Sequence, residues 1–443
     1  MLKTFHKGGI HPVENKFSAG REIRVLPPPE VVYIPLSQHL GAPAKLIIDR
    51  GEKVKTGQLV AKSTGFVSVN IHSSVSGTVR KIDQVQDGSG YKRTAILIET
   101  CEDEWQPGID LSPDINTDIQ YSPEEIIRKT LYAGIVGLGG AAFPSHVKLS
   151  IPRGKHARAL IINGAECEPY LTSDHRLMLE KGKELIIGIK LLMRALRAET
   201  AMIGIENNKQ DAIRHLEELA GKEEGISVYP LKVKYPQGGE KQLIKALTKM
   251  EVPSGGLPID IGVVVHNVGT AFAVYEALQK NKPLIERVVT VTGKSLKNPS
   301  NFLVRIGTPV INLIEAAGGL PADTGKVISG GPMMGKALST FDVPVVKGTS
   351  GIVILPESES KRRHVKVCIR CTKCVAVCPQ GLEPYLLMSL AQNEYPDELE
   401  MNKVMDCIEC GACSYICPSG RPLLDYIRLG KAKVGQIIRT RKN

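Results

Sequence analysis

Aromatic side chains make up only 5% of this 443-residue sequence, with a single tryptophan. Such a chain has few flat surfaces on which bases could stack, and no helix-turn-helix pattern stands out. Nucleic acid is therefore set aside as a partner, although the net charge is +11. That charge suits a solvated surface, an acidic protein partner or an anionic membrane surface. Long apolar runs are missing too. The most apolar stretch, "IDIGVVVHNVGTAFAVYEAL" at 259–278, contains Asp260, His266 and Asn267 and is too polar to span a bilayer unaided. The opening "MLKTFHKGGIHP" lacks the apolar core of a secretory signal. Cysteine is scarce outside one region: eight of the ten lie between 368 and 417, leaving Cys101 and Cys167. This is not the spread of a secreted disulfide scaffold, so a reduced, cytoplasmic compartment is expected. The two outlying thiols read as small buried hydrophobes. His6, His11 and His72, scattered singly, read as ordinary hydrogen-bonding residues.

What is present in abundance is one phrase, written twice. "CIRCTKCVAVCP" begins at Cys368 and "CIECGACSYICP" at Cys407. Both have the spacing C-x2-C-x2-C-x3-C-P. Three thiolates at steps of three wrap a loop around one iron–sulfur cube, and the fourth reaches the other cube in two-cluster ferredoxins. The expectation is thus crossed. Cys368, Cys371, Cys374 and Cys417 hold one 4Fe–4S cluster; Cys407, Cys410, Cys413 and Cys378 hold the other. Zinc would favour paired CxxC units, often with histidine, which two identical four-cysteine runs fit poorly. Pro379 and Pro418 turn the chain away after each fourth cysteine. Gly411 suits crowded backbone near sulfur.

The length allows roughly three domains at about 150 residues each. Residues 1–30 end in a proline-rich, extended stretch. From 31 to 100 short valine- and isoleucine-rich strands alternate with turn glycines. This stretch looks like a biotinyl/lipoyl-type barrel-sandwich domain. The region of the modified lysine reads "TGFVSVNIHSS" here, so a structural or docking role is expected instead. Residues 118–295 alternate helix and strand patterns, giving a Rossmann-like α/β domain with a mostly parallel sheet. Its first helix is announced by Ser122 and Glu125 as a capping box. Residues 296–350 resemble a soluble-ligand-binding β-grasp module. Residues 357–430 form the ferredoxin-like two-cluster domain, and 431–443 a basic tail. The segment "SESKRRHVKVC" before the first cysteine run is basic, a dock for an acidic partner or a plain linker.

The α/β domain carries "GLGGAAFPSHVK" from Gly137 to Lys148, where glycines allow backbone amides to approach a phosphate and Lys148 adds charge. "INGAECEPYLTSDHR" follows a strand end, where α/β sheets bind ligands. It contributes Asn163, Glu166 and Glu168. Then come "YPQGGEKQ", with Gly238 and Glu240, and "HNVGT", with Asn267. These four segments, in this order, resemble the FMN- and NADH-binding subunit of respiratory complex I. With "FHKGGIHPVENK", the barrel-sandwich, the β-grasp module and the two cysteine runs, the whole chain resembles the C subunit of the Rnf ion-translocating electron-transport complex.

The resemblance implies that Gly137, Gly139, Gly140 and Lys148 hold the FMN phosphate. Asn163, Glu166, Glu168, Gly238 and Asn267 line the flavin, and Phe143 and Glu240 lie near the nicotinamide end. Glu240 and Glu166 are the implied catalytic carboxylates. Leu138, Ala142, Ala165, Gly239 and His266 depart from the complex I pattern. The resemblance further implies hydride exchange with NAD(H) through FMN, since a flavin handles both one and two electrons. Two 4Fe–4S clusters would carry electrons onward. It also implies the other Rnf membrane subunits as partners, ferredoxin indirectly, and a peripheral place on the cytoplasmic face of the cell membrane. A soluble flavin/iron–sulfur reductase, such as a cobalamin reductase, and a flavin-less electron-transfer adaptor are the competing readings.

Overall fold

A computed structural model describes residues 2–442. Its centre is a four-stranded, wholly parallel sheet in the order Ile226–Leu231, Thr200–Glu206, Ala159–Gly164 and Val263–Asn267. The strand "ALIING" is apolar at consecutive positions because both faces are covered. Leu160 and Ile162 join a core with helices Gly182–Leu196 and Val268–Gln279; Ile161 faces helix Glu240–Thr248 on the other side. The Ser122–Glu125 capping box is formed: Glu125 N donates to Ser122 Oγ at 3.2 Å and Ser122 N to Glu125 Oε2 at 2.8 Å.

Two β modules flank this domain. The barrel-sandwich pairs a four-stranded sheet (Val31–Pro35, Lys92–Thr100, Gly77–Gln86, Lys53–Val54) with a three-stranded one (Lys45–Leu46, Leu59–Lys62, Ile71–His72) over an aliphatic core. Its "TGFVSVNIHSS" segment is exposed at Thr64–Phe66 and buried from Ser68 to Ser74. Phe66 O accepts from His146 Nε2 at 2.8 Å, and Asn70 Nδ2 donates to Tyr132 O at 3.2 Å. Buried Lys347, from the β-grasp side, joins Asn70 O and Gly134 O at 3.0 and 2.8 Å, so three domains meet on one ammonium.

The second β module is a six-stranded mixed sheet that moves two expected boundaries. Strand Glu286–Gly293, assigned from sequence to the α/β domain, pairs with Ser300–Arg305 and Gly351–Pro356. Ile23–Val25, from the N-terminal segment, supplies the edge strand beside Ser300–Arg305. Both shifts have one cause: an apolar strand is placed by its hydrogen-bonded neighbours, which a single sequence does not name.

The cysteine runs lie between short helices packed by the long helix Leu423–Lys442. The expected basic tail is part of that helix. Leu423, Ile427 and Val434 are buried against Leu387 and Leu399, and Arg441 pairs with Glu400 at 2.7 Å. Spacings of four and seven put the apolar residues on one stripe, so the basic residues decorate a docked helix. Among the described residues no helix is long and apolar enough to cross a membrane.

Candidate functional site

The strand order reverses between Ala159–Gly164 and Val263–Asn267, and Asn163 and Asn267 are register partners at their carboxyl ends. A crevice at such a switch point is where open α/β sheets take ligands. Asn267 Oδ1 accepts from Gly269 N at 2.8 Å, capping the twelve-residue helix Val268–Gln279. Its Nδ2 donates to Asp174 Oδ2 at 2.6 Å. Asn163 Nδ2 donates to Gly238 O at 2.8 Å. Three of the four expected segments therefore converge.

The fourth, the glycine loop, drapes over the same helix start. Gly137 N donates to Phe143 O at 2.8 Å and Leu138 N to Thr270 Oγ1 at 2.9 Å. Gly139 lies so close that a Cβ would sit 3.4 Å from Asn267 Cβ. Gly140 has φ +113°, which side-chain-bearing residues rarely adopt, and open space faces it. Lys148 Nζ donates to Glu240 Oε1 at 2.7 Å and Val265 O at 3.0 Å. Two residues expected at opposite ends of the nucleotide site thus form one ion pair. Beside them His266 is buried with Nε2 lacking a partner. Burial and the Lys148 charge push its pKa down to about 3, so the ring is neutral. These features fit FMN: backbone amides at a helix start and a lysine for the phosphate, amides of two asparagines and an orphan imidazole for the polar remainder.

Glu166 and Glu168 are engaged elsewhere. The Glu166 carboxylate accepts from Asp174 N (2.8 Å), His175 N (3.2 Å) and Ser173 Oγ (3.3 Å), capping helix Ser173–Glu180. This favours a capping anion over the expected catalytic carboxylate, since those lone pairs are already taken. Glu168 accepts from Met333 N and Met334 N at 3.1 and 2.8 Å, reaching the β-grasp module. Burial raises its pKa to about 7 despite these amides. Asp174, at the crevice floor, is also raised to about 7 by burial and the Glu166 charge. Beneath the loop, half-buried Lys16 donates to the carbonyls of Glu166, Glu168 and Leu171, and buried Lys209 to that of Ala165.

The cysteines fall into two sets. Cys378, Cys407, Cys410 and Cys413 line one cavity. No three His, Cys, Asp or Glu side chains among the described residues converge as a single metal ion would need. A four-iron cube takes one thiolate at each iron corner, so its ligands stand farther apart than those of a single ion. Burial and neighbouring thiols push Cys410 up to about 11 and Cys413 up to about 12, so these sulfurs need a bound cation to ionise near neutral pH. The first run stands apart. Cys368 and Cys371 are exposed, and Cys374 is half-buried with Cys417 among the groups raising its thiol pKa.

The inner sulfur set abuts the crevice. Tyr235 Oη donates to Cys410 O at 2.8 Å, and an apolar seam joins Ile10, Tyr235, Cys410 and Ala412 with Cys167 and Met333 against it. Cys167 Sγ in turn accepts from Gly238 N at 3.2 Å. Gly411 takes φ +77° with Met333 O 2.9 Å from its would-be Cβ. The N-terminal segment crosses the seam as a strap. Gly9 N donates to Val377 O at 2.8 Å, and at Gly8 (φ +68°) a Cβ would lie 2.6 Å from the Cys378 carbonyl. Gly8→Ala is therefore expected to cost about 2 kcal/mol and to perturb the inner cluster. Thermal melts and EPR of the reduced chain check this; wild-type values in both would refute it.

Sequence reasoning missed Lys16, Asp174, Lys209, Tyr235, Thr270 and buried Arg287, whose Nη2 donates to Leu138 O of the glycine loop at 3.4 Å. Tyr235 lies inside the quoted "YPQGGEKQ" and Asp174 inside "INGAECEPYLTSDHR", so proximity to a motif was the available signal. The lysines and Arg287 had none, because burial of a charge is invisible in sequence.

Comparison with known proteins matches this layout. Family models described as the RnfC barrel sandwich hybrid domain, the Nuo51 FMN-binding domain, the SLBB domain and a 4Fe-4S dicluster domain match residues 3–103, 131–276, 288–337 and 360–418. The chain is 45% identical to the C subunit of the proton-translocating ferredoxin:NAD(+) oxidoreductase complex of Clostridium ljungdahlii, covering 98% of this chain and 94% of the relative. It is 46% identical to the Na(+)-translocating counterpart of Acetobacterium woodii, covering 97% and 96%. The C subunit of an ion-translocating oxidoreductase complex of Rhodobacter capsulatus is 42% identical over 87% of this chain and 75% of its own. Among solved structures, an NAD+-reducing [NiFe]-hydrogenase shares the fold with TM-score 0.51 at 18% identity, over 74% of this chain and 66% of that one.

Proposed function

This chain belongs to the family of C subunits of ion-translocating ferredoxin:NAD(+) oxidoreductase complexes, and we propose that it is the NAD(H)-facing redox subunit of such a complex. It is one subunit of a multi-subunit oxidoreductase, with an FMN-binding domain and a 4Fe–4S dicluster domain. Its place is the cytoplasmic face of a membrane, held by partner subunits, with ferredoxin reached only through them.

The observation that carries the reading is the seam: a buried four-sulfur cavity linked by Tyr235 to the loop over the strand ends. FMN supplies the conversion between hydride and single electrons. The chain's own residues bind and orient. The Gly137–Lys148 loop and the Val268–Gln279 helix start take the phosphate. Asn163, Asn267, Gly238 and His266 offer the polar lining, Phe143 borders the nicotinamide side, and Glu240, paired with Lys148, lies by the phosphate. Lys148 holds the Glu240 carboxylate in place. The four sulfurs Cys378, Cys407, Cys410 and Cys413 hold the nearer cluster, and Cys368, Cys371, Cys374 and Cys417 the farther.

An anaerobic NADH titration of the cluster-reconstituted, FMN-loaded chain tests this. Flavin absorbance should bleach first and reduced-cluster EPR signals follow. A chain that binds no FMN, or FMN that NADH cannot reduce, sinks the reading.

A further inference from the structure

Among the described residues that line the cavity of Cys378, Cys407, Cys410 and Cys413, Gln380 alone brings a polar side chain other than a thiol. Its amide nitrogen Nε2 is buried and, among the described residues, has no hydrogen-bond partner. A buried donor left unpaired is costly, so its place on this wall needs a reason. The backbone fixes that place. Gln380 lies in a turn closed by Gly381 N, which donates to Cys378 O at 3.1 Å. Just beyond, Leu382 N donates to Cys378 Sγ at 3.3 Å, and across the cavity Glu409 N donates to Cys407 Sγ at 3.4 Å. These sulfurs are thus already targets of N–H donors, and Gln380 adds one on a side chain pinned beside a ligating cysteine. Cysteine spacing does not demand it. The two runs agree at every cysteine and at the closing proline, yet the second continues with Ser419, a shorter side chain without an amide.

We propose that the Gln380 side-chain amide donates to a sulfur of the cluster held by Cys378, Cys407, Cys410 and Cys413, and that it raises the reduction potential of that cluster. The proposal rests on the reading above, that these four cysteines hold a 4Fe–4S cluster. One electron passes from the reduced flavin to this cluster, oxidising one and reducing the other, with no bond made or broken. Reduction adds a negative charge, and an N–H aimed at a sulfur stabilises the reduced form more than the oxidised one. The amide keeps its protons throughout. Its effect is to make the cluster beside the crevice an easier acceptor than cysteine ligation alone provides.

The test is a potentiometric EPR titration of the full, cluster-reconstituted chain carrying Cys417→Ala, which leaves the inner cluster as the one observed. Gln380→Leu, close in volume and without a donor, should lower the midpoint. At a fixed potential the ratio of reduced to oxidised cluster should fall about tenfold, which is about 59 mV for one electron. Gln380→Glu sets a carboxylate at the same reach and should lower the midpoint further. Iron content, measured on the same samples, reports separately on the cysteines. If the chain with Gln380 intact holds no inner cluster, the assignment of the four cysteines falls and the proposal falls with it. With that cluster present, an unchanged or raised midpoint in Gln380→Leu overturns the role of the amide alone. So does loss of the inner iron from both variants, which would make Gln380 a holding element and not a tuning one.

Discussion

Replacing Cys378 by alanine is expected to remove the cluster of the second cysteine run and spare that of the first. Sequence proximity would predict the reverse, since Cys378 ends the first run. The structure puts its sulfur in the cavity with Cys407, Cys410 and Cys413. The variant should keep about half of its iron. Its flavin should still bleach with NADH, while the remaining cluster stays oxidised, because the sulfur set next to Tyr235 is the one lost. Cys417→Ala is the mirror experiment: the outer cluster goes, and the inner one still fills from NADH. Iron analysis and EPR during the titration read both. Loss of the first-run cluster from Cys378→Ala would overturn the crossed assignment. A cluster is also a fold element, so the helices between Lys373 and Gln392 should lose thermal stability in Cys378→Ala.

Lys16→Met is expected to destabilise the chain by about 3 kcal/mol and to weaken FMN binding, though Lys16 belongs to no motif. Its ammonium makes three hydrogen bonds of 2.6–2.9 Å to the carbonyls of Glu166, Glu168 and Leu171. Removing it leaves three half-buried acceptors short of a donor, at roughly 1–3 kcal/mol each. Relief from burying a charge offsets part of this. Burial, with Lys209 nearby, lowers the Lys16 pKa from 10.5 to about 8, a cost of about 3 kcal/mol for keeping it charged. The carbonyls win. The same shift fixes the sign of a pH effect. Between about pH 8 and 10.5 the unfolded chain binds more protons here than the folded one, so this group makes stability rise with pH across that window. Lys16→Met should lack that rise. Denaturant unfolding at several pH values and FMN titration check it; unchanged stability would show that the strap holds nothing.

The two experiments probe opposite kinds of information. The cysteine runs were legible because cluster chemistry demands a fixed residue type at fixed spacing. The crossed pairing we propose follows from the longer step, four residues instead of three, that separates each fourth cysteine from its run. The glycine loop and the asparagines stood out for a similar reason: close backbone approach tolerates few side chains. The capping box at Ser122 is equally local.

Other features depended on what lies far away in the chain. Glu166 reads as a ligand-site carboxylate in sequence. Only the position of helix Ser173–Glu180 makes it a cap. Lys148 and Glu240, 92 residues apart, become one ion pair because a loop and a helix start meet at the same sheet edge. The apolar stripe of the final helix was present in sequence, but its basic residues masked it until Leu387 and Leu399 gave it a surface to cover.

The sequence by itself determined the cofactor chemistry, since thiolate spacing and glycine placement are short-range constraints on ligand geometry. The tertiary structure alone decided how the two redox sites are joined. The seam of Ile10, Tyr235, Cys167 and Cys410 draws on distant segments, and the strap that crosses it is held by a half-buried lysine. Burial and long-range hydrogen bonding are properties of the folded chain, and no local pattern encodes them.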